Sequence, residues 1–220
     1  YQNIYFIMKV GICCHDAGAA EIISSYIKQK NIAPLYCLSG PAIKVFERKI
    51  GRIENMLLTD IVKNSNWLLC GTSWKSDLEW NIIKEAKKQQ KKVIVFLDHW
   101  VNYRERFIRN NEECLPDEIW VGDYYAERIA KDNFSNLKIK LIENPYLLDI
   151  KKQLSRLGKI RVRGNSVLYV CEPIREHAYF KHGDEHYWGY TEEEALRFFL
   201  TSIDEMFTAK KSIIIRPHPS

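Results

Sequence analysis

The stretch from Lys9 to Ile27, KVGICCHDAGAAEIISSYI, decides how this chain folds. A short apolar run (Val10 to Cys14) gives way to a loop of small and polar residues, His15 to Ala20. An amphipathic segment follows, with Ile22, Ile23 and Ile27 at helical spacing. That order spells a buried strand, a turn and a helix, the first half of a β-α-β unit. In open α/β sheets, ligands bind where strand carboxyl ends meet helix starts. Small residues there let a ligand approach the backbone, and the amides of a helix start favour an anionic or polar group.

The pattern repeats along the chain. Strands are expected at residues 33–39, 54–59, 67–71, 92–97, 118–121 and 138–142. Helices are expected at 42–49, from a cap at Ser76 or Asp77 through Gln89, and at 124–133, with a connecting turn at 60–64. The segment 101–115 reads as loop with some helix. Strands alternating with helical patterns specify a parallel sheet covered on both faces, an α/β, Rossmann-like doubly wound fold. Residues 8–150 form this domain, 151–165 a basic, glycine-punctuated linker that includes the end of a helix at 146–157, and 166–220 a second unit. That second unit shows a strand at 167–171, a polar and aromatic loop at 176–190, a helix capped by Thr191 with Glu194 in a capping box, and a strand at 212–215. At roughly 55 residues it is too small to bury a core of its own, so the expectation is that it either docks on the first domain or begins a larger domain.

Composition narrows the class. The 220 residues carry 33 Lys and Arg against 28 Asp and Glu, a net charge of +5 that is interspersed rather than blocked. The clusters around Lys87 to Lys92 and Lys159 to Arg163 suit a solvated surface or contact with an anionic membrane, and no nucleic-acid motif accompanies them. The six cysteines lie mostly in apolar runs without zinc-ligand spacing, which indicates buried thiols of a reducing compartment. No apolar run has the length of a membrane span, and residues 1–7 lack the features of a signal peptide and read as a vector remnant before Met8. The expected location is the cytoplasm, with peripheral association at the inner membrane face as an extension.

Four motifs carry a resemblance: Val10 to Ala20; LPDEIWV at 115–121; LIENPYLLD at 141–149, with Glu143 where a glycine is usual; and IRPHP at 215–219. In this order they resemble the two-Rossmann architecture of GT-B glycosyltransferases and the related UDP-N-acetylglucosamine epimerases. The last motif is similar to one in capsule and teichoic-acid polymerases. The resemblance implies an acceptor-binding first domain and a partial, donor-side second domain. It also implies a nucleotide-sugar donor, a glycan or lipid-linked acceptor, and no other cofactor.

Candidate chemistry lies at strand ends. His15 and Asp16 suit a general base for an acceptor hydroxyl, the carboxylate holding the imidazole in its useful tautomer. The bland reading makes Asp16 a helix cap. Gly18, Thr72, Ser73, Asp98 and His99 are placed to meet the acceptor, although Thr72 and Ser73 also suit a plain strand ending. Glu172 and Arg175 follow the first strand of the second unit, and Arg216 and His218 sit in a proline-stiffened turn suited to donor phosphates. His177, His182, His186, Asp184 and Glu185 lack metal-ligand spacing, so no metal site is expected. Tyr187 and Trp188 suit stacking on a sugar or base.

These residues together point to a glycosyltransferase of surface polysaccharide synthesis. It would move a sugar or another phosphate-linked group to an acceptor hydroxyl, by an inverting displacement that needs no metal. The rival readings are an epimerase of the same fold and a non-catalytic partner of a transferase. A nicotinamide oxidoreductase is disfavoured, because the first loop lacks G-x-G-x-x-G.

Overall fold

The structure, a computed structural model, describes residues 8–73, 76–157, 166–206 and 212–218. The chain divides into two compact units, residues 1–158 and 159–220. The expected vector remnant, residues 1–7, and most of the expected linker lie outside the described residues.

The first unit is built as β1 (Val10–Cys14), α1 (Ala17–Gln29), β2 (Leu35–Leu38), α2 (Pro41–Ile50), α3 (Leu58–Asn64), β3 (Trp67–Cys70), α4 (Leu78–Lys88) and β4 (Lys92–Leu97). A small hairpin, β5 (Ile108–Arg109) and β6 (Glu112–Glu113), precedes β7 (Glu118–Val121), α5 (Tyr124–Asn133), β8 (Lys138–Leu141) and α6 (Pro145–Arg156). Six strands pair in parallel in the order β2-β1-β3-β4-β7-β8. The result is a Rossmann-like doubly wound sheet with helices on both faces.

Alternation along the strands sorts the core into two layers. Cys13, Leu68, Cys70, Val93, Val95 and Ile119 pack with Ile61 and Val62 of α3, Ile82 and Ile83 of α4, and Ala126 and Ala130 of α5. On the other face Ile12, Cys14, Leu69, Ile94, Phe96 and Trp120 meet Ala19, Ile23 and Ile27 of α1 and Phe46 of α2. Each fully buried side chain of this kind contributes about 1.5–3 kcal/mol. All six cysteines are free thiols, five of them buried.

Two expectations are corrected. Residues 54–59 do not form a strand: Asn55 makes one isolated parallel bridge to Tyr36, and Leu58 already belongs to α3. The Asn55 amide replaces the missing ladder, accepting from Leu38 N at 2.6 Å and donating to Leu38 O at 2.7 Å. The helix expected at 146–157 is no linker. α6 belongs to the first unit, where Gln29 of α1 donates to Pro145 O and Asp149 Oδ1, both at 2.9 Å.

From β1 the chain steps outward to β2, then returns to place β3 on the opposite side of β1. This reversal opens a crevice between the carboxyl ends of β1 and β3. The amino edge of the sheet is basic: Lys9 precedes β1, Lys63 and Lys87 end α3 and α4, Lys91 and Lys92 lead into β4, and Lys138 opens β8. Among the described residues no helix is long and apolar enough to cross a membrane.

The second unit contains β9 (Ser166–Val170), α7 (Ile174–His182), α8 (Glu192–Met206) and β10 (Ser212–Arg216). β9 and β10 pair in parallel, and Phe199 of α8 stacks on Tyr169 at 4.6 Å between ring centroids. The expected capping box forms: Thr191 N donates to Glu194 Oε2 at 2.9 Å, and Glu194 N to Thr191 Oγ1 at 3.3 Å. Helix α7 takes up half of the loop expected at 176–190, ending at Gly183 in the left-handed conformation. Among the described residues of this unit only Ala178 and Thr191 are buried.

Candidate functional site

The crevice is lined by residues from the ends of four strands, each fixed by a partner distant in sequence. The His15 backbone is held at both ends: its N–H donates to Glu79 Oε1 at 2.7 Å, and its carbonyl accepts from Ala42 N at 2.9 Å. Its side chain is half-buried, with Nδ1 2.8 Å from Ser39 Oγ beyond β2. Gly40 permits this placement, since a Cβ there would clash with the imidazole, and its φ of +53° also suits glycine. The other ring nitrogen, Nε2, has no hydrogen-bond partner among the described residues.

Asp16 occupies the N-cap position of α1, yet its side chain makes no capping bond. Its Oδ1 instead accepts from Ser73 Oγ at 2.9 Å across the crevice. The imidazole of His15 is therefore held by the Ser39 hydroxyl and not by the Asp16 carboxylate, contrary to expectation.

Thr72 and Ser73 are buried, and their hydroxyls act inside the protein rather than on an acceptor. Thr72 Oγ1 accepts from Arg106 Nη1 at 2.8 Å, and that guanidinium nitrogen lies 3.7 Å from Asp98 Oδ1. Asp98 and Arg106 are both almost fully buried. Burial raises the Asp98 carboxyl above its ordinary range, while His99 and Arg106 pull it back. His99 Nε2 stands 3.4 Å from Asp98 Oδ2 and faces water. The same carboxylate presses on the first turn of α1: a Cβ on Gly18 would come within 2.5 Å of Asp98 Oδ2. Gly18 thus admits the chain's own carboxylate at the helix start, where the sequence suggested room for a ligand.

Sequence reasoning missed Glu79, Arg106 and Ser39. Glu79 opens α4 beneath the crevice, and burial pushes its carboxyl up to about 7, against the pull of the His15 amide and Arg109. Its Oε2 is buried with no hydrogen-bond partner among the described residues. Arg109 clamps the β3–α4 loop, donating to Ser73 O at 2.7 Å and to Asp77 Oδ1 at 2.6 Å. No sequence signal marks Glu79 or Arg106, because each reaches the crevice only through the fold.

In the second unit, Glu172 and His218 lie near the paired ends of β9 and β10, where Arg216 faces Val170 across the ladder and Cys171 N donates to Arg216 O at 2.9 Å. Arg175 is instead tied to α8, its Nη1 3.2 Å from Glu193 Oε1. His182 stacks on Tyr187 at 3.5 Å, with Trp188 edge-on to both rings. Among the described residues no three His, Cys, Asp or Glu side chains converge as a metal-ligand group.

No protein-family model matches the chain, and no curated protein matches it. Its first unit is identified by architecture alone, as a Rossmann-like doubly wound α/β domain.

Proposed function

We propose that the crevice binds a hydroxyl-bearing acceptor and that the chain acts as a glycosyltransferase of the GT-B type in surface polysaccharide synthesis. The observation that carries this reading is the mounting of His15. Its backbone is pinned at N–H and C=O, Ser39 holds Nδ1, and Nε2 has no hydrogen-bond partner among the described residues, at the switch point of the sheet. A group so placed can take the proton of an acceptor hydroxyl as its oxygen bonds to the anomeric carbon and the donor's carbon–oxygen bond to phosphate breaks. In the second unit, Glu172, Arg175, Arg216 and His218 are the proposed binders of donor phosphate.

The test is release of nucleoside diphosphate from a panel of sugar nucleotides, with and without added glycan acceptors, by the wild-type chain and by H15A and H15Q. Acceptor-dependent release, slowed about 10²–10⁴-fold in both variants without loss of donor binding, is the expected result. Undiminished turnover in H15A would remove His15 from the reaction. Conversion of sugar nucleotide without an acceptor would identify an epimerase.

A further inference from the structure

Four large side chains stand in water on the same edge of the sheet as the crevice. Trp100 and Val101 follow β4 and are 58% and 60% exposed, while Tyr124 and Tyr125 open α5 and are each 66% exposed. Adjacent exposed apolar groups of this size mark interaction surfaces. The rings are held in place: Trp100 Nε1 donates to Asp123 Oδ2 at 2.9 Å, and Asp123 Oδ1 accepts from Ala126 N at 2.8 Å. One carboxylate thereby caps α5 and fixes the indole. Tyr124 and Tyr125 meet edge to face, with centroids 6.4 Å apart. His99, directly before Trp100, is exposed and continues the surface toward the crevice, with Asp98 buried behind it.

We propose that Trp100, Tyr124 and Tyr125 form a saccharide-binding platform that extends the crevice, so that the ligand is a chain of several sugars. A pyranose ring offers a C–H face to an aromatic plane and hydroxyls to carboxylates and imidazoles, and this rim presents both. Rings already anchored lose little freedom on binding. Exposed Trp and Tyr also suit a lipid surface. Here, however, Lys9, Lys63, Lys87, Lys91, Lys92 and Lys138, which could hold anionic headgroups, gather at the opposite, amino edge, and the rim carries Asp123. Of the arginines near these residues in sequence, Arg104 and Arg106 are engaged by Glu113 and Asp98, and Arg128 stands exposed on α5. The identity of the ligand as acceptor rests on the function proposed above, but the platform itself does not.

The test is saturation-transfer NMR and calorimetry on the full chain with maltohexaose, cellohexaose and chitohexaose, beside their monosaccharides. Phosphatidylcholine vesicles with and without phosphatidylglycerol serve as the competing partner. At least one hexasaccharide is expected to bind more tightly than its monosaccharide. That affinity should fall about tenfold or more in W100A and in Y124A/Y125A, and less in W100F. Circular dichroism and unchanged Tm certify the folding of each variant. The platform is overturned if no hexasaccharide binds, if binding ignores these substitutions, or if they abolish vesicle binding instead. If H15A turns over normally while glycan binding still depends on Trp100, the acceptor chemistry fails and the platform stands.

Discussion

Glu79 shows how much one buried carboxyl imposes on a loop. It accepts the His15 amide, and among the described residues its buried second oxygen has no hydrogen-bond partner, so burial shifts it toward the neutral acid. Its folded value of about 7 lies above the ordinary 4.5. The folded state therefore binds the proton more tightly, and stability declines as pH rises from about 4.5 through about 7. Ionising Glu79 in the folded state costs on the order of 3 kcal/mol in full. In E79Q the amide oxygen still accepts from His15 and nothing titrates. Denaturant unfolding at about pH 5 and about pH 8 should show a stability difference smaller by about 2 kcal/mol in E79Q than in wild type. An unchanged difference would mean that Glu79 is already charged in the native protein.

Individual elements were legible from sequence where the local pattern and the tertiary demand agree. The strand at Lys92–Leu97 and the helix at Tyr124–Asn133 fall where expected, the latter capped by Asp123. Residues 54–59 misled because apolar residues flank a position whose side chain does the pairing. A periodicity count does not register an asparagine acting as a strand edge. In N55A the Leu38 amide should exchange with solvent markedly faster, with a stability loss of about 1–2 kcal/mol, measured by hydrogen exchange and denaturant unfolding. Helix α7 was hidden by its composition, since His, Tyr and Gly read as loop although Gly183 only terminates it. The site was half legible on the same grounds. His15, Asp16 and Asp98 stand at strand ends, whereas Glu79 and Arg106 owe their place to contacts that no local pattern encodes.

At the scale of the whole molecule, the two units differ in what they bury. The first holds two continuous apolar layers against its sheet, and the second buries only Ala178 and Thr191 among its described residues. Residues 8–157 expressed alone should unfold cooperatively with a Tm close to that of the corresponding transition in the full chain. Residues 166–218 alone should show no cooperative transition. Differential scanning calorimetry of the two pieces checks both statements, and a sharp transition in the smaller piece would refute the second.

The basic amino edge also has a practical consequence. Charge is distributed along the strand axis, with Lys9, Lys63, Lys87 and Lys91 at one end, where Lys92 and Lys138 share Glu118, and Asp16 and Asp123 at the other. A negatively charged bead or electrode captures the first unit by its lysine end. So immobilised, the unit presents its crevice and aromatic rim to the bulk solution, oriented by the sheet itself without tag or cross-link.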